Sequence, residues 1–215
     1  MTTVRLVWLL SFAVLLQSCT SVPRVKYLPN IASQAMYQQH LQNISNIESF
    51  TLQGRIGVQA NGKGFSGGLN WQHNNSNDDI SLYSPLGGQV ASIKKTLDQV
   101  TLEDAHGNSM TAADSETLTQ NTLGWPLPLT GLADWTLGRP ASGSIDEVTW
   151  DELGRISTLK QGGWDIEYQN YSDQNGHILP RKISLKSEKV NLKLLVEKWV
   201  IFSQANKAQA DKILE

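Results

Sequence analysis

One cysteine in 215 residues, Cys19, leaves no intramolecular disulfide, so the fold must rest on an apolar core. Charge is sparse and nearly balanced: 18 Lys and Arg against 20 Asp and Glu, with no basic run. That excludes the electrostatic footprint of a nucleic-acid-binding domain. It equally excludes the Lys and Arg clusters that dock a protein on anionic lipid. The four histidines (His40, His73, His106, His177) lie far apart without a metal-ligand spacing. No glycine-rich phosphate loop follows a strand and opens a helix. Beyond residue 16 no apolar stretch approaches the ~18 residues of a bilayer span.

What is present begins at the N-terminus. Arg5 supplies a short positive segment, and Leu6 to Leu16 form an apolar run broken only by Ser11. This is the length of a secretory signal and too short to cross a bilayer. Leu16-Gln17-Ser18-Cys19 follows, and it resembles the lipobox cut by the lipoprotein signal peptidase. Residues 1–18 are therefore expected to be removed. Cys19 is expected to carry S-diacylglycerol and N-acyl groups, which explains a lone thiol in an exported chain. Cleavage would leave 197 residues and remove Arg5, moving the net charge from -2 to -3. A chain of that length suits one domain.

Residues 19–33 contain Pro23 and Pro29 without periodicity and read as a tether. Tyr37, His40, Leu41, Ile44 and Ile47 recur at helical spacing. After Glu48 the pattern becomes period two: Leu52, Ile56 and Val58 share a face, then Phe65, Leu69 and Trp71, then Ile80 and Leu82. Further strands are expected near 89–95, 98–103, 108–112, 145–150, 155–160, 164–170, 181–187 and 190–199. Asn61-Gly62, His106-Gly107-Asn108, Leu153-Gly154 and Asn175-Gly176 supply the turns between them. Alternation stops between Ala113 and Gly138. There Leu118 and Leu123 predict one short helix, Trp125-Pro126-Leu127-Pro128 breaks it, and Leu129, Leu132 and Trp135 predict a second, ended by Gly138. The expected fold is mainly β with α insertions: a strongly curved antiparallel sheet, an incomplete barrel, closed by a helical lid. Residues 34–202 form this domain, and 203–215 read as a polar tail.

No credible active site emerges, and no enzyme is expected. Gly64-Phe65-Ser66-Gly67-Gly68 matches G-x-S-x-G, but that nucleophile needs a sharp strand-to-helix turn. Phe65, Leu69 and Trp71 alternate straight through it, so Ser66 belongs on the polar face of a strand. Gly67 and Gly68 read as a bend or bulge. His106 and His177 fall in turns and read as solvated, and Asp78-Asp79 reads as a solvated loop without a calcium-site ligand series.

Several stretches, in order behind the lipobox, resemble the LolB family of outer-membrane lipoprotein receptors across roughly residues 36–201. They are Phe50-Thr51-Leu52-Gln53-Gly54-Arg55-Ile56-Gly57-Val58, Leu69-Asn70-Trp71-Gln72, Ser84-Pro85-Leu86-Gly87, and Gly124 to Leu129 with Leu132, Trp135 and Leu137-Gly138. Ser203 to Glu215 depart from the family's usual end. The resemblance implies an incomplete barrel closed by helices around an apolar cavity. It implies a monomer that receives lipoproteins from the soluble carrier LolA and inserts them into the inner leaflet of the outer membrane. The acyl chains of the cargo and outer-membrane phospholipid would be its partners, and it would need no cofactor beyond its own lipid. It further implies an insertion loop at Pro85, Leu86 and Gly87, with Leu86 exposed. Thr20 after the cysteine, in place of an inner-membrane retention aspartate, agrees with an outer-membrane, periplasmic-side address in a Gram-negative bacterium.

By residue chemistry alone, Leu86 could be an ordinary surface leucine. Phe65, Leu69 and Trp71 could line a cavity or pack a closed core, and Trp125, Leu132 and Trp135 could belong to the lid or to that core. LolA itself is a competing identity, disfavoured because a lipidated N-terminus would stop a carrier from shuttling. A structural lipoprotein of an outer-membrane assembly complex, or an esterase using Ser66, are further alternatives.

Overall fold

The computed structural model describes residues 31–202. Cys19, the expected signal segment, residues 19–30 of the tether and the tail 203–215 lie outside the described residues.

Helix α1 (Ile31–Ser45) precedes eleven strands. These are β1 (Ser49–Ala60), β2 (Lys63–Asn74), β3 (Asn77–Tyr83), β4 (Gln89–Lys95), β5 (Val100–Asp104), β6 (Ser109–Ala112), β7 (Glu147–Trp150), β8 (Ile156–Gln161), β9 (Trp164–Gln174), β10 (His177–Lys186) and β11 (Val190–Phe202). Helices α2 (Ser115–Leu123) and α3 (Leu129–Leu137) fall between β6 and β7. All strands join one antiparallel sheet in the order β6-β5-β4-β3-β2-β1-β11-β10-β9-β8-β7. The first and last strands are thus neighbours at its centre, and the short strands β6 and β7 are its edges. The chain crosses from one edge to the other only through the helical insertion, which must pass over a face of the sheet.

Alternation of side chains builds the elements. In β1 Phe50, Leu52, Ile56 and Val58 point to the core, while Gln53, Arg55 and Gln59 face out. Asn61 and Asn175 adopt φ of 51° and 56°, the left-handed backbone that tight hairpin turns demand. Strand β11 keeps the pattern from Val190 to Val196 and then exposes Glu197 and Lys198 in succession. Its register with β1 shifts at this point, between Gln53 and Gly54. One extra residue in β11 restores Trp199 to the core, and such a bulge increases the local twist that curls the sheet. A second shift lies between Leu82 and Tyr83 at the end of β3.

The expected elements differ from the observed ones in places. Helix α1 starts at Ile31, so Ile31 to Ser33 are helical and no tether; Ser33 is buried one turn before Tyr37. The helix ends at Ser45, leaving Ile47 buried in the turn that follows. Strand β10 reaches back through Pro180 to His177, because Pro180 pairs with Tyr171 without needing an amide donor at that position. The ring of His177 contacts the Asn43 carbonyl at 3.1 Å, so this histidine docks β10 on α1 where a solvated turn was expected.

One continuous core lies between the concave face of the sheet and the three helices. Tyr37 of α1 stacks on Trp150 with ring centres 4.4 Å apart, and His40 meets Tyr171 edge-on. Arg139, just after α3, ties the helices together. Its guanidinium donates to the carbonyls of Ile44 (2.6 Å), Ser45 (3.1 Å) and Ile47 (3.1 Å), and its Nε pairs with Asp134 (2.7 Å). Two of these, Ile44 and Ser45, belong to the last turn of α1, where a helix leaves its carbonyls without intrahelical partners.

Candidate functional site

Helix α2 opens with Asp114, whose carboxylate accepts from the amides of Glu116 and Thr117. These bonds, the Thr117 contact above all, hold its pKa below the usual carboxylate value. Gly124, in left-handed backbone, closes the helix. The Thr119 hydroxyl accepts from the Leu127 amide at 2.8 Å, folding the Trp125 to Pro128 segment back against α2. Helix α3 then brings Leu129, Leu132, Trp135 and Leu137 onto the sheet.

Between the insertion and the centre of the sheet lies an apolar void walled by Ile56, Leu69, Trp71, Ile80, Leu82, Leu192, Leu194, Leu127 and Leu132. Its volume is only ≈ 10 Å³, room for about one water, whereas sites for ligands of drug size or larger span roughly 300–1,000 Å³. Leu69 and Trp71 from β2 and Leu132 from α3 therefore meet at one place. Phe65, half-buried, and the buried Trp125 and Trp135 do not touch the void. Trp135 instead donates its indole N–H to Gln161 (2.9 Å), and the same amide exchanges hydrogen bonds with the backbone of Ala141 (2.9 and 2.8 Å). That buried glutamine fixes the C-terminal half of the insertion on β8.

Asp78 corrects the expectation of a solvated loop. It lies in β3, in phase with Ile80 and Leu82, and is 3 % exposed. Its carboxylate accepts from the Trp71 indole (2.9 Å), contacts His73 Nδ1 (2.7 Å) and reaches Lys95 Nζ (3.4 Å). A buried charge persists only with such partners. The period-two phase of Asp78 with the apolar residues after it was the available signal. Burial also raises the Tyr168 and Tyr171 hydroxyls far above the usual tyrosine range.

Ser66 faces outward within β2, opposite Gly57, so G-x-S-x-G runs through a regular strand. Register with β1 is continuous across Gly67 and Gly68, hence no bulge forms in β2. The reason for glycine is close approach: a Cβ on Gly67 would stand 1.9 Å from the Tyr83 carbonyl oxygen. Tyr83 leads directly into the loop 84–88. There the Ser84 amide donates to Gly88 (2.7 Å), Gly87 to the Ser84 carbonyl (2.9 Å), and Gly88 to the Ser84 hydroxyl (3.2 Å). Pro85, Leu86 and Gly87 thus form a pinned turn, and Leu86 at its tip is 98 % exposed.

An antiparallel sheet wrapped under a helical insertion places the protein in a known structural class. It superposes on a LolA superfamily protein from Nitrosomonas europaea with a TM-score of 0.50, covering 83% of this chain and 97% of that one, at 10% identity. A DUF1329 family protein from Desulfovibrio piger gives a TM-score of 0.50 at 6% identity, covering 79% and 93%. Those likenesses are of fold alone; the sequence is more specific. The family Outer membrane lipoprotein LolB matches residues 48–199. Outer-membrane lipoproteins LolB from Pseudomonas fluorescens (33% identity, 88% of this chain and 93% of the relative) and Nitrosomonas europaea (34%, 89% and 91%) match nearly end to end. The chain belongs to the LolB family of outer-membrane lipoproteins. That membership agrees with a protein that is not an enzyme.

Proposed function

We propose that this chain is a receptor that accepts lipoproteins from the soluble carrier LolA and inserts them into the inner leaflet of the outer membrane. It is held on the periplasmic side by lipid on Cys19. The observation that carries this reading is the wholly apolar void between the centre of the sheet and the helical insertion. Acyl chains need such a place, because each methylene left in water costs roughly 0.8 kcal/mol. A cavity that binds the chains better than the carrier does lets them pass downhill without nucleotide hydrolysis. In this reading the closed void opens as a chain displaces Leu127 and Leu132 from the sheet, with outer-membrane phospholipid as the final acceptor.

Leu86 supplies the contact with the bilayer. Its transfer from water into lipid gains about 1.5–3 kcal/mol, enough for a foothold and too little for an anchor, so the lipid on Cys19 does the anchoring. The loop's three hydrogen bonds hold Leu86 out and stop it from folding back onto the protein. The test is a two-step transfer assay with the lipidated chain in phospholipid vesicles and carrier loaded with a lipoprotein. Cargo should move from carrier to receptor and then into the vesicle. Cargo that stays on the carrier would refute the reading.

A further inference from the structure

The strand register orders the core into rows and shows where the void stops. Phe50, His73 and Asp78 share the first row; Leu52, Trp71, Ile80 and Trp199 the second. Leu69 and Leu82 follow, then Ile56 and Leu194, then Val58, Phe65 and Leu192. The void touches the second row and those beyond it, and no residue of the first. Its blind end is therefore Trp71. Its other end leads toward half-buried Phe65 and toward the end of the sheet that carries Leu86.

The two kinds of wall differ in rigidity. Trp71 donates to a carboxylate whose side chain is fully buried and also held by His73 and Lys95. Turning the indole would strip a buried charge of a partner, among the more expensive changes a core can undergo. Phe50 backs it, edge-on to both Trp71 and Trp199 with ring centres 5.2 Å apart in each case. Leu127 and Leu132 oppose it with dispersion contacts alone, which an acyl chain can replace in kind. The void can enlarge against the insertion and toward Phe65, and not past Trp71.

We infer that Trp71, oriented by Asp78 and backed by Phe50, is the floor of the acyl site and sets the longest saturated chain it accommodates. The inference rests on the receptor reading above, and makes Asp78 a positioning residue. A site of fixed depth gains about fourfold in affinity for each methylene taken from water until the terminal methyl meets the floor, and nothing beyond.

The experiment uses the lipidated chain in phospholipid vesicles. Carrier delivers diacylglyceryl lipopeptides of increasing saturated chain length, each with a diazirine on the terminal carbon. Photolabelled residues and captured fraction are measured. Terminal labels should fall on Trp71 or Ile80, and capture should level off at one length. Trp71→Ala should move that plateau to longer chains, and Trp71→Phe should move it less while keeping an aromatic core. Asp78→Asn, which retains an acceptor for the indole, should keep the wild-type plateau; Asp78→Leu should broaden it. An unchanged plateau in both Trp71 variants, or terminal labels confined to Val58 and Phe65, overturns the floor and leaves the receptor reading intact. Absence of labels anywhere inside the sheet overturns both.

Discussion

At the scale of single residues, two exposed leucines set mere exposure against the role proposed for Leu86. Leu86 and Leu97 are 98 % and 81 % exposed, but they sit in the turns at opposite ends of β4. Seven residues of strand at ~3.4 Å each hold them apart, so one bilayer surface cannot meet both. Leu86→Glu should leave acceptance from the carrier intact and abolish delivery to vesicles, whereas Leu97→Glu should change neither step. Equal effects of the two would remove Leu86 from the mechanism. His40 gives a prediction of a different kind. Burial pulls its pKa below the ordinary ~6.5, with Asp151 opposing the shift and Arg155 adding to it. The unfolded chain therefore binds the proton more readily, and stability rises with pH across the interval between the folded value and about 6.5. On acidification the loss starts near pH 6.5 and ends at the folded value. His40→Phe keeps a ring against Tyr171 and should flatten that part of a stability-against-pH curve; an unchanged slope would point to another group. Arg139 was absent from the sequence reading, because nothing in a lone Arg after a helix cap says it will reach three carbonyls some ninety residues earlier. Arg139→Ala should cost about 2–3 kcal/mol in denaturant unfolding. Arg139→Lys should recover only part, since an ammonium lacks the planar fork.

At the scale of elements, what was legible in the sequence depended on whether the cause was local. The period-two runs and the Asn-Gly turns marked the strands, and Pro126, Pro128 and Gly138 marked both helices of the insertion, because backbone chemistry dictates them residue by residue; the cap at Gly124 emerged only in the structure. The bulge at Glu197 was visible only as a broken alternation, and its partner on β1 could not be named without the register. Asp78 was misread since a charged pair beside a turn is normally solvated; the contacts that keep it buried come from β2 and β4. Gly67 and Gly68 were read together, yet only one is constrained. A Cβ on Gly67 would overlap the Tyr83 carbonyl, whereas on Gly68 the nearest atom is the Tyr83 Cβ at 3.4 Å, an ordinary contact. Gly67→Ala should therefore cost about 2–3 kcal/mol by forcing β2 and β3 apart. It should also loosen the loop 84–88 that Tyr83 leads into. Gly68→Ala should stay within about 0.5 kcal/mol. Paired thermal melts with amide exchange at Gly87 and Gly88 test this; equal costs would place the strain elsewhere.

At the scale of the whole molecule, the energetics limit how the closed void can open. Seven buried apolar side chains of the insertion, from Leu118 to Leu137, rest on the sheet. Exposing them all at roughly 1.5–3 kcal/mol each would cost on the order of 10–20 kcal/mol, as much as the stability of an entire domain. The opening that the proposed receptor role requires would therefore be partial, and the attachments say which part is freer to move. The end of α3 is held through Trp135 and Gln161, through Gln161 and Ala141, and through Arg139 to carbonyls at and just after the end of α1. Helix α2 rests on β5 and on β6, a four-residue edge strand whose first three residues are all exposed. The insertion should swing from its α2 side, with the turn after α3 as the fixed end. Native-state hydrogen exchange reads this directly. Amides of α2 should exchange through an opening well below the global unfolding free energy, while those at the C-terminal end of α3 exchange together with β1 and β11. Acyl ligand, by holding the swung state, should raise exchange in α2 further and raise the melting temperature at once. At a hundredfold excess over Kd the added stability is about 2.7 kcal/mol. If α2 and α3 exchange as one unit with the central strands, the insertion has no hinge, and the proposed entry of acyl chains past α2 is wrong.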